Sequence, residues 1–180
     1  MAIVDGYATL QEVKAELRLT TTNDDPRIER AIEAASRLID NVTHRKFTAT
    51  SGPRVFGSHG GTVWVDDASA VTLVEESTDQ AIWSTVAATG WVANARPPIR
   101  SLNRLAGVCW LPFVRVTATW GTATIPAEVN TACKIQAVRL FKRPDTPEGV
   151  LVGDFGAARL GRIDPDVLAL IRPLQRKVVG

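Results

Sequence analysis

A change of hydrophobic period, from helical to alternating and back, constrains this chain more than any other feature. Ile28, Ala31, Ile32, Ala35, Leu38, Ile39 and Val42 recur at spacings of three and four behind Asp25-Pro26, while Arg27, Glu29, Arg30, Glu33, Arg37 and Asp40 occupy the other face. That is an amphipathic helix. From about Arg45 the pattern shortens to a period of two. Val114, Val116, Ala118 and Trp120 alternate with Arg115, Thr117 and Thr119, as a half-buried antiparallel strand requires. Thr62 to Val65, Val71 to Val74 and Trp91-Val92 read as further short strands, punctuated by turn glycines and Pro97-Pro98. After Ile125-Pro126 the helical period returns. The expectation is an α+β fold, mainly α: a small helical bundle with an inserted antiparallel β subdomain and a long loop before a short C-terminal helix.

At the N-terminus Thr9-Leu-Gln-Glu12 has the form of a capping box, and Leu10, Val13 and Leu17 share one face of a short helix. Asp24 and Asp25 read as helix-capping carboxylates, since no further acids follow at calcium-loop spacing. Behind Pro126, the residues Val129, Ala132, Cys133, Ile135, Ala137, Val138, Leu140 and Phe141 wrap more than one face, so this helix should be the most buried. Arg139, Lys142 and Arg143 suit the negative end of its dipole. Pro144 to Arg162, with Gly153, Gly156 and Gly161, reads as a loop too long for a mere connection. Asp164-Pro165 then opens a last helix whose narrow stripe is Val167, Leu168, Ile171 and Leu174, followed by a basic tail. The expected organisation is a single domain over 1–180: N-terminal helices to 44, β insertion 45–121, central helix 125–143, loop 144–163, and helix plus tail 164–180.

The composition points away from several function classes. At 45% hydrophobic and 22% charged residues the chain is ordinary globular material, and no apolar run approaches a membrane span. Met1 to Asp5 lacks the charged and apolar regions of a signal peptide, so the protein is expected to be soluble and to remain where it is made. Cys109 and Cys133 lack paired metal spacing and read as small buried hydrophobes. The net charge of +2 is mild, but from Lys134 onward nine basic residues face five acidic ones, which concentrates it at the C-terminus. Trp64, Trp83, Trp91, Trp110 and Trp120 read as buried anchors rather than a base-stacking platform, because no basic clusters interleave them. His44 and His59 stand alone, and the glycines at 60, 61, 153, 156 and 161 lack phosphate-loop spacing. Asp154-Phe155-Gly156 copies a kinase tripeptide without the rest of that machinery. Asp66-Asp67 and Glu75-Glu76 read as solvated acids at turns or strand edges. The residues therefore argue against an enzyme, and no cofactor or metal is expected.

The order of these pieces resembles a known family. A short helix from Tyr7-Ala-Thr-Leu, the long helix from Asp25, the β insertion, Thr119-Trp120-Gly121 leading into Ile125-Pro-Ala-Glu-Val129, a glycine-bearing loop and Asp164 to Pro173 are together similar to the head-to-tail connector (adaptor) proteins of long-tailed bacteriophages. The resemblance implies a helical core carrying a β insertion, a ring of about twelve subunits beneath the portal, and a virion structural role without catalysis. It implies as partners the portal protein, a downstream neck, stopper or tail-completion protein, and other copies of the chain, with an isolated monomer as the alternative to a free ring. Packaged DNA would pass through the lumen without sequence-specific contact, with no membrane involved. The location would be the virion neck, and the host cytoplasm during assembly.

On that reading, Asp154, Phe155, Arg159 and Leu160 in the loop pack on the neighbouring subunit, the alternative being that Phe155 and Leu160 fold back on their own. Leu168, Ile171, Arg172, Leu174, Arg176 and Lys177 dock on the portal, and removing 164–180 leaves the core folded. The competing function is a DNA-contacting packaging or regulatory module that uses the basic C-terminus for phosphates.

Overall fold

The computed structural model describes residues 5–94, 96–143 and 163–176, together with the backbone of 150–153 and 156–159. Two compact units divide the chain. Residues 1–45 and 125–180 form the first, and residues 46–124 form the second.

The first unit is helical, with α1 (Leu10–Leu17), α2 (Asp25–Thr43), α3 (Ala127–Lys142) and α4 (Pro165–Ile171), the last followed by a 3-10 turn, Arg172–Leu174. The capping box is present: the Glu12 amide donates to Thr9 Oγ1 at 3.2 Å and the Thr9 amide to Glu12 Oε2 at 2.7 Å. Asp24 departs from expectation. It occupies the N-cap of α2 but its side chain makes no capping bond, and its carbonyl instead accepts from the amides of Arg27 and Ile28. The Asp25 carboxylate, read as a second cap, is bonded to Lys14 Nζ at 2.6 Å and so ties α2 to α1.

Along α2 the predicted stripe is the buried one, with Ile28, Ile32, Ala35 and Ile39 fully covered and Leu38 and Val42 partly so. Ser36 and Thr43 are buried too. Each hydroxyl donates back to the carbonyl four residues earlier, Ile32 and Ile39 respectively, which satisfies it without an outside partner. On α3 the buried set is Val129, Ala132, Cys133, Gln136, Ala137 and Phe141, while Ile135, Val138 and Leu140 are only partly covered. The helix thus buries one face rather than wrapping round. Burial pushes the Cys133 thiol up, with Ser36 Oγ beside it at 3.4 Å.

Two expectations about the C-terminal region change. Within the segment read as a structureless loop, β7 (Val150–Gly153) and β8 (Gly156–Arg159) form an antiparallel ladder with Gly153 opposite Gly156. The last helix, read as a detachable docking element, contributes Val167 and Ile171 to the core with no exposed surface. Burying two such side chains contributes roughly 1.5–3 kcal/mol each, so removal of 164–180 would open the core.

The second unit is a six-stranded antiparallel sheet ordered β1-β6-β2-β5-β4, with β3 paired to β2 off that path. The strands are β1 (Thr50–Gly57), β2 (Thr62–Ser77), β3 (Ser84–Thr85), β4 (Trp91–Ala93), β5 (Ile99–Arg104) and β6 (Phe113–Trp120). The two short runs expected at 62–65 and 71–74 belong to one strand. Its register shifts between Trp64 and Ala68 and again before Leu73, so its first half pairs β5 and its second half pairs β6. The inner face gathers Val63, Val65, Val74, Leu102, Val114, Val116 and Trp120, and the alternation read along β6 is the observed one.

Gly121 terminates β6 at φ +85, where an added Cβ would lie 2.2 Å from the Thr48 carbonyl oxygen. No other residue fits there.

Candidate interaction surfaces

The expected docking helix is held at both ends within its own unit. Asp164 caps α4 by accepting from the Asp166 amide at 2.9 Å, its carboxylate pairs with Arg139 at 3.1 Å, and its own amide donates to the buried Gln136 Oε1 at 3.4 Å. Beyond the helix, the Arg176 amide donates to the Thr43 carbonyl and Arg45 Nη1 to the Leu174 carbonyl. Of the residues read as portal-facing, Leu168 and Arg172 are exposed, while Leu174 and Arg176 are half-buried. Ile171 is corrected: it is fully buried inside the helical unit, so it is no part of an outer surface. The stripe was read from spacing alone, and its centre belongs to the face of α4 that α3 covers.

Lys177, Asp154, Phe155 and Leu160 lie outside the described residues. Arg159 is placed through its backbone only, opposite Val150 in the hairpin.

The β unit carries surfaces that the sequence reading missed. Trp64, read as an anchor, is 69% exposed on the outer side of β2, and Ile82 is 77% exposed in the turn before β3. Val55, Leu73, Val92, Leu105 and Val108 are exposed apolar side chains of the same unit. Trp110 and Trp120 are the buried anchors, while Trp83 and Trp91 are half-covered. A signal for Trp64 was available, because Val63 and Val65 on either side of it point inward and a period of two then sends it out. Cys109, expected to be buried, is exposed.

The acids of β2 are not loose charges at turns. Glu75 accepts two bonds from Arg115, both 2.7 Å, Glu76 pairs with Arg104 at 3.1 Å, and the buried Asp67 pairs with Arg100 at 2.6 Å. The Arg115 guanidinium holds the Glu75 carboxyl below its ordinary range and lies 4.4 Å over the Trp83 ring. The turn that bears Ile82 is tightly built. Asp79 Oδ1 accepts from the amides of Ala81 and Ile82, which holds that carboxyl below its usual range, and Ser77 Oγ accepts from the amides of Asp79 and Gln80. Trp83 Nε1 donates to the Gln80 carbonyl.

Among the described residues no three histidine, cysteine or acidic side chains are grouped to hold a metal ion, and no helix is long and apolar enough to cross a membrane. The helical unit is interrupted in sequence by an antiparallel insertion with uncovered apolar side chains on its sheet, an α+β architecture.

Residues 7–84 match the family described as phage gp6-like head-tail connector protein. No curated protein matches the sequence. Among solved structures, a chain in the "Neck of empty GTA particle computed with C6 symmetry" superposes with a TM-score of 0.71 at 18% identity, covering 100% of this chain and 95% of that one. Chains in the "Virion of native gene transfer agent (GTA) particle" and the "Neck of native GTA particle computed with C12 symmetry" each give 0.67, at 20% and 17% identity, with the same coverages. The chain is similar to head-to-tail connectors, in sequence over its first part and in fold along its whole length.

Proposed function

We propose that this protein is a virion structural component, located in the neck, that forms a ring joining the DNA-filled head to the tail. The observation that carries the reading is the conjunction of the connector match over 7–84 with a whole-length fold likeness to neck chains of symmetric particles. Its work is to bind neighbours, and no catalytic step is assigned to it. The ring has twelve copies, which the C12 symmetry named for one similar neck supports. Its neighbours along the axis are the portal protein on one side and a stopper or tail-completion protein on the other, and DNA passes through the lumen without base-specific contact.

On the portal side the exposed Leu168 and Arg172 carry the contact, with Leu174 and Arg176 at its margin. Arg159 and its hairpin serve a neighbouring subunit. Mixing the purified protein with portal, with plasmid DNA and with neither, then imaging by electron microscopy, tests this. Rings stacked on portal are expected. Tight, site-selective binding to DNA with no ring on portal would replace the reading with that of a packaging or regulatory module.

A further inference from the structure

We propose that the β unit makes a second subunit-to-subunit contact of the ring, beside that of the Arg159 hairpin, with the Trp64 patch of one copy seated on the Val55 and Leu73 patch of the next. This rests on the ring reading above. A contact repeated by rotation is heterologous, so every copy must offer two different, non-overlapping patches, whereas a partner bound once needs only one. The β unit has two.

The first is built on the outer side of β2, β5 and β4. Trp64 stands opposite Ser101, and two residues back along β2 Thr62 faces Asn103, which faces Val92 across the next strand pair. Trp64 and Val92 are exposed, while Thr62 Oγ1 donates to Asn103 Oδ1 at 2.7 Å between them. The second lies on the outer side of β1, β6 and the far half of β2. There Val55 faces Arg115, Arg115 faces Glu75, and Leu73 faces Thr117. Trp64 and Leu73 sit on one strand nine residues apart, about 30 Å along its path at the usual rise, so the patches do not overlap.

The composition of both suits burial. In each, exposed apolar side chains flank polar groups already bonded within the unit, Thr62 with Asn103 in one and Arg115 with Glu75 in the other, so covering them leaves few polar atoms stranded. Trp64 is the residue type and exposure expected of an interface hot spot. Exposed Ile82 precedes Trp83, whose ring lies against the Arg115 guanidinium of the second patch, in a turn whose amides are tied to Ser77 and Asp79, so that turn is ordered before contact and loses little freedom on binding.

Crosslinking in assembled particles tests the pairing. The full chain would carry Cys109→Ser to remove the exposed thiol, with Thr62→Cys beside the first patch, Thr117→Cys beside the second, or both. A flexible bis-maleimide is then added, while the buried Cys133 stays out of reach. The doubly substituted chain should give a ladder of multimers and each singly substituted chain none, because unlike patches meet. Adding Trp64→Asp, or the milder Trp64→Ser if that chain misfolds, should abolish the ladder and the ring density in the neck. Dimers from Thr62→Cys alone would mean that like meets like and would overturn the proposal. So would necks with full ring density and no ladder, which would leave the ring reading standing. Particles whose necks contain no ring of this chain at all would overturn the ring reading itself.

Discussion

Two carboxylates show how single side chains set the acid limit of the fold. Glu12 is held below its ordinary range chiefly by the Thr9 amide, and Glu75 chiefly by Arg115. A carboxyl whose folded pKa lies below its unfolded value contributes stability that is complete above the unfolded value and is lost as pH falls through the folded one. With an unfolded glutamate near 4.3, the melting temperature is expected to hold through neutral pH and to fall below about pH 4. Glu75→Gln should melt lower than the parent at pH 7 and lose less on acidification, since the substituted side chain keeps part of the hydrogen bonding but has no charge to lose. Thermal melts across that range check this, and an acid limb equally steep in both chains would remove Glu75 from the explanation. The same residue explains a misreading. Glu75 and Glu76 look like solvated edge charges because their arginines lie 40 and 28 positions further along the chain, beyond any local pattern.

At the scale of elements, α4 separates packing from display along a single turn. Ile171 is fully buried and Leu168, three residues before it, is 39% exposed. Ile171→Ala should cost roughly 2–5 kcal/mol of stability through the lost side chain and the cavity left behind. Leu168→Ala paired with Arg172→Ala should leave the melting temperature within a few degrees of the parent while weakening attachment to portal. Calorimetry and pull-down on the same preparations distinguish them, and an Ile171→Ala chain that melts like the parent would return α4 to the status of an appendage. The helices α1 and α2 were legible in the sequence because each carries its own stripe and start signal, and those signals are local. What α4 does was not, because a stripe says that a face will be covered without saying by what; here the buried faces of α3 and α4 meet. The length of β2 was hidden for a related reason. Its alternation slips at the irregularities between Trp64 and Leu73, so one bent strand reads as two short ones. Gln136 was missed because a polar residue within an apolar run gives no warning of the main-chain amide it will satisfy.

For the whole molecule, the division into two units predicts separable folding. The sheet has its own core of inward side chains, and the helices have theirs. Residues 46–124 expressed alone should give a cooperative melt and a sheet-type circular dichroism spectrum. The chain in which a short Gly/Ser linker replaces them should keep its helical signal. Loss of a cooperative transition in both pieces would show that neither core suffices by itself. A geometric detail makes the second chain feasible. At the end of β6, Gly121 approaches so closely that its absent Cβ would meet the carbonyls of Thr48 and Lys46, which places the outgoing strand beside the incoming one. The insertion therefore begins and ends at one doorway. Through such a doorway a foreign domain with neighbouring termini, a fluorescent reporter or an affinity handle, can be exchanged for the native sheet without respacing the helices.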